Sequence, residues 1–220
     1  MKFSLTGRGG RGTQGPGDQG MIAEVRAYWE ALRDSSALPR RDRIDPRGIA
    51  GALEHAFMVE RIGPGLARFR IAGMALNDLM GMEVRGMPLS ALFDVSARGR
   101  LQPELEAGFM TPAILDLRLE AERGIGRPDL SARMILLPVE GGRGEQRLAL
   151  GCLALTGTPG RAPRRFAIAR LSVEPLDNSA TPARIAAPQA QPGLAETARV
   201  FLPAPPPRGK PVLRLVKSGE

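Results

Sequence analysis

A chain of 220 residues with 43% hydrophobic and only 4% aromatic content can build one aliphatic, Met-rich core, and its 27 Gly and 20 Pro keep much of it out of regular structure, which excludes a second large domain. Its formal charge of +8 lies mostly outside the presumed folded part, because residues 21–156 hold 18 Arg and no Lys against 18 acidic residues. The basic footprint of a nucleic-acid-binding face is therefore missing, and nucleic acid is not expected as a partner of the folded part.

Residues 1–20 are Gly-rich and polar and are expected to form a disordered lead-in. A helix follows, in which Ile22, Val25, Trp29 and Leu32 share one face while Arg26, Glu30 and Arg33 face water. Its apolar face is expected to pack on the domain or on its copy in a homodimer. Asp45 and Pro46 form a helix start, the acid as cap and the proline at the first helical position, leading into a short helix through Ile49 and Leu53.

Two strands come next, residues 56–62 and 66–72, joined by the turn Gly63-Pro64-Gly65; in the second, Ala67, Phe69 and Ile71 alternate with Arg68 and Arg70. Short helical pieces over 74–80 and around Leu89 and Leu92 precede a longer helix with Leu101, Leu105 and Phe109 on one side, for which Ser96 is the expected cap and Pro103 a kink or late start. Three strands close the domain, the first with the cleanest alternation in the chain: Leu115, Leu117, Leu119 and Ala121 against Asp116, Arg118, Glu120 and Glu122. The second runs from about Leu130 to Val139 and the third from Arg147 to Leu155. Strands joined by short turns pair antiparallel.

From residue 157 to 220 the text turns Pro-, Ala- and Arg-rich, holding 11 of the 20 prolines, and reads as a largely disordered basic tail. A stray strand over Phe166–Val173 and a short apolar segment, Val212–Val216, are its only features. The domain organisation is thus 1–20, 21–156 and 157–220.

The order of two strands, short helices, a longer helix and three strands resembles a PAS domain. In particular, Tyr28-Trp29 with Leu32-Arg33, Pro39 with Arg41, Ile44-Asp45-Pro46 with Leu53, Arg68-Phe69-Arg70-Ile71-Ala72-Gly73, Gly81 and Gly86 resemble the PAS-fold family common in alphaproteobacteria. The resemblance implies an α+β fold, with a five-stranded antiparallel sheet and helices over one face, and a signalling or regulatory role.

Chemistry-bearing residues are sparse. His55 is the only histidine and Cys152 the only cysteine, so neither a metal site nor a catalytic triad is expected, and a disulfide within the chain is excluded. Cys152 sits in a strand rather than in the Asn-Cys-Arg helix of a flavin photosensor; neither flavin nor haem is expected, and no cofactor is evident. A cavity between sheet and helices would be walled by Phe69, Ile71, Leu79, Leu117 and Met134 and would suit a small apolar ligand. The same residues as plain core filling is the simpler expectation.

No stretch approaches the roughly 20 apolar residues of a membrane span, nor the about 7–15 of a signal-peptide core, so a cytoplasmic location is expected. The expected function is a non-catalytic sensory or regulatory module acting through protein–protein contact, with itself or another protein. The alternatives are a nucleic-acid or anionic-surface binder acting through the basic tail, and a small enzyme built around His55.

Overall fold

The computed structural model describes residues 16–33, 38–141 and 146–176. The first fifteen residues and those from 177 onward, with the Val212–Val216 segment, lie outside the described residues.

Helix α1 (Pro16–Leu32) starts within the stretch expected as lead-in, on a proline that suits a first turn because it has no N–H to leave unpaired. A 3₁₀ helix, Pro46–His55, follows, and Asp45 caps it by accepting from Arg47 N at 2.9 Å. Strands β1 (Ala56–Gly63) and β2 (Leu66–Ala72) form the expected hairpin, with Gly65 supplying the positive φ of the turn. Helix α2 (Met74–Met80) ends on Gly81 in the left-handed conformation, and a 3₁₀ turn, Leu89–Leu92, leads to α3 (Val95–Met110).

The cap of α3 is Asp94, not Ser96: the Asp94 carboxylate accepts from Ala97 N and from Ser96 Oγ, each at 2.7 Å. Both bonds favour the charged form and hold Asp94 below the usual carboxylate range, Ser96 contributing most. Pro103 lies inside α3, which runs on through it.

Strands β3 (Ala113–Ala121), β4 (Leu130–Glu140) and β5 (Gln146–Gly157) pair antiparallel as expected. The sheet nevertheless has six strands rather than five, in the order β2-β1-β5-β4-β3-β6. The addition is β6 (Phe166–Pro175), which pairs antiparallel along β3 from Ala121↔Phe166 to Ala113↔Pro175.

Both faces of the sheet are covered. On the inner face α2, the 89–92 turn and α3 bury Leu76, Leu79, Leu89, Leu92, Leu101 and Leu105 against strand residues that include Val59, Leu115 and Leu153. Gly151 lets the Phe57 ring lie flat against β5, where a Cβ would stand 2.2 Å from a ring carbon. On the outer face α1 buries Ile22, Val25 and Trp29 against Ile135, Leu137, Leu148 and Leu150. The Trp29 indole N–H donates to Pro138 O at 2.8 Å, and Arg33 lies over its ring at 5.1 Å. The apolar stripe of α1 is spent on its own sheet.

Two charged devices tie the ends together. Arg61 makes a two-pronged bond to Glu106 at 2.6 and 3.0 Å, and Glu106 also accepts from Gly65 N at 2.8 Å, joining α3 to the β1–β2 turn. Arg61 first, then the Gly65 N–H, hold the Glu106 carboxyl below its ordinary value. Arg164, 1% exposed, donates to the backbone carbonyls of Pro159, Glu122 and Pro128 and has no carboxylate partner among the described residues. It locks the 122–129 loop to the segment that delivers β6.

Candidate functional site

The space between sheet and helices is filled. Phe69, Leu79, Leu117 and Met134 are all buried there, with Phe69 edge-to-face against Phe57 at 5.4 Å. A void elsewhere on this face, lined by Leu105, Gly108, Phe109, Leu115 and neighbours, measures only about 10 Å³, room for about one water.

Ile71 is not with this group. It is 56% exposed and stands on the opposite face of the sheet. The cause is a β-bulge: Val59 pairs with Phe69 but Met58 pairs with Ile71, so Arg70 is an extra residue on β2. An inserted residue reverses the alternation beyond it, turning Ile71 outward beside Met58.

Outward, Ile71 joins a groove of about 330 Å³ formed where α1 no longer covers the sheet. Its floor is Met58, Ile71, Ala56 and Leu150 on three adjacent strands; its wall is Ile44, Pro46, Ile49 and Leu53. Leu53 is 45% exposed. The wall is held by α1, since Tyr28 Oη accepts from Asp45 N at 2.7 Å and Glu24 accepts from Gly51 N at 3.0 Å. At the far end Gly73 closes the corner, donating to Ala56 O at 2.8 Å; any Cβ there would lie 2.1 Å from the Glu54 carbonyl oxygen. Arg41 is the one charged residue among those lining the groove.

A second, polar concavity of about 600 Å³ lies lower on the outer face. It is lined by Arg118, Arg123 and Arg133, among others, with Glu120 and Asp129. Arg133 is bound to Asp116 and Arg123 to Asp129, so most of its charge is matched internally.

The titratable residues singled out in the sequence lie apart from both concavities. His55 Nδ1 sits 2.9 Å from Leu153 O, which the ring satisfies as a donor. Cys152 is fully buried among Ile135, Leu150 and α1 side chains, and burial pushes its thiol up to about 12. At about pH 8 the native chain is expected to leave a disulfide reagent such as DTNB unreacted and to take up one equivalent in denaturant. Equal rates before and after unfolding would contradict that burial. Among the described residues no group of three or more His, Cys, Asp and Glu is placed to share a metal ion, and no helix is long and apolar enough to cross a membrane.

A family model for the PAS domain matches residues 19–154, from the first turns of α1 into β5. The chain belongs to the PAS-domain family. No curated protein and no solved structure matches it. Within this PAS domain the matched span holds α1 and the groove but not β6 or Arg164, which extend the sheet beyond it. PAS membership suggests a sensory or regulatory module.

Proposed function

We propose that this PAS protein, of the branch common in alphaproteobacteria, is a non-catalytic sensory or regulatory module that acts by protein contact, with a small apolar ligand as its input. The observation that carries the reading is the open apolar groove at Ile44, Leu53, Met58 and Ile71, beside an interior that is already filled. Sites for small ligands are concave and mostly apolar, at about 300–1,000 Å³. Phe69, Leu79, Leu117 and Met134 then serve as packing that stiffens the sheet beneath the groove, and Ile71 is the member of that set that a ligand meets.

Because α1 buries its own apolar face, a partner or a second copy is better served by the groove and the adjoining β2 edge than by α1. Native mass spectrometry on the full chain purified from its source tests this. A bound mass that disappears in Ile71→Glu supports the reading. A wild-type chain that is ligand-free and monomeric, or a bound mass that Ile71→Glu leaves untouched, overturns it.

A further inference from the structure

We infer that the groove takes a small amphiphile whose polar end is a carboxylate, its apolar body lying on Ile44, Leu53, Met58 and Ile71 and its charge meeting Arg41; this rests on reading the groove as the ligand site. Of the twelve lining residues Arg41 alone carries a charge. Among the described residues it has no ion-pair partner, because the nearby acids are engaged elsewhere. Asp42 is bound to Arg40 at 2.9 Å, and the Asp45 carboxylate accepts from Arg47 N at 2.9 Å.

Further arginines stand on the rim. Arg43 and Arg47 flank the same wall, also without an ion pair among the described residues. Across the groove, beside Ile71, Arg70 and Arg68 share the single carboxylate of Glu60, each at 3.1 Å. On the same wall Asp42, Asp45 and Glu54 stand against Arg41, Arg43 and Arg47, with Asp42 bound to Arg40 and Asp45 accepting from Arg47 N. The polar concavity around Arg118 lacks such a preference, since acids and arginines alternate along its lining.

Size and donor geometry narrow the class. A volume of about 330 Å³ is at the small end for drug-sized ligands, and a globular partner would need to bury about 800 Å² on its own side. One planar guanidinium at the edge of an apolar floor matches the two oxygens of a carboxylate. Phosphate groups are better served by several N–H donors converging at once, which this lining does not offer.

The test uses the ¹⁵N-labelled full chain and three probes with the same ten-carbon tail, decanoate, decanol and decyltrimethylammonium, each below its micelle concentration. Decanoate is expected to shift the amides of Ile44, Leu53 and Ile71 and to bind about fivefold more tightly than decanol, as an exposed ion pair allows. Arg41→Gln should erase that preference, and Ile71→Glu should weaken both probes at least tenfold. Both substitutions are at exposed positions, so dispersed spectra report that the fold is intact.

Equal binding of all three probes at the groove overturns the carboxylate inference and leaves the groove as an apolar ligand site. No shifts at the groove with any probe overturn the inference and the ligand reading together. Groove shifts that depend on protein concentration alone, without probe, identify a second copy as the occupant and overturn the inference too.

Discussion

Trp29→Ala is expected to lower the stability of the fold by about 3–5 kcal/mol. The ring is fully buried between α1 and the outer face of the sheet, and its N–H is the partner of Pro138 O. Removing it leaves a large cavity under α1 and an unpaired carbonyl, the latter adding about 1 kcal/mol. Against the 5–15 kcal/mol typical of a whole domain, that loss should release α1 from the sheet at mild denaturant concentrations. Urea unfolding followed by circular dichroism measures it, because Trp29 is the chain's only tryptophan and the variant loses its fluorescence. Trp29→Phe, which keeps most of the packing but not the N–H, should fall between. A loss below about 1 kcal/mol for Trp29→Ala would mean that α1 rests on the sheet without being anchored there.

Arg164→Met should be nearly as damaging, at about 3 kcal/mol or more. Methionine retains the apolar stem but leaves the carbonyls of Pro159, Glu122 and Pro128 without their shared donor. Arg164→Lys keeps the charge, yet one ammonium lacks the planar fork that reaches several carbonyls at once, so a smaller loss is expected. The same urea experiment separates the two. An Arg164→Lys variant as stable as the wild type would show that charge alone is what the site needs, and a wild-type-like Arg164→Met would remove the guanidinium from any structural role.

The elements legible in the sequence were those whose signals are local. The apolar spacing of α1, the Asp45-Pro46 start, the Gly65 turn, Gly81 and the alternation of β3 each rest on residues within a few positions of one another. What escaped was set by pairing between distant segments. Both departures lie on edge strands that carry a bulge. In β2 the extra Arg70 turns Ile71 outward, so a residue expected in a cavity wall instead floors a groove on the other face. In β6, expected as a stray strand, the extra Ala169 separates the inward pair Phe166 and Ile168 from Leu171 and Val173, so the alternation that would mark a strand of the domain's sheet is broken midway.

The buried role of Arg164 is invisible for a similar reason, since it lies in a Pro- and Arg-rich stretch whose composition reads as tail. The cap of α3 falls on Asp94 rather than on Ser96, two good cap residues two positions apart. Of the five residues expected to wall a cavity, Phe69, Leu79, Leu117 and Met134 are buried together in the inner core, and Ile71 lies on the other face. The groove itself needed the bulge, the end of α1 and the 46–55 helix to be seen together.

The contact between Trp29 and Pro138 spans 109 positions of chain. On a ribosome adding about 5–20 residues per second, α1 emerges before the strands that receive it and waits roughly 5–20 s for them. During that interval its apolar stripe is without its native cover, and the nascent chain presents Ile22, Val25 and Trp29 to whatever chaperone attends the exit tunnel. The helix is thus made well before the surface on which it is seated.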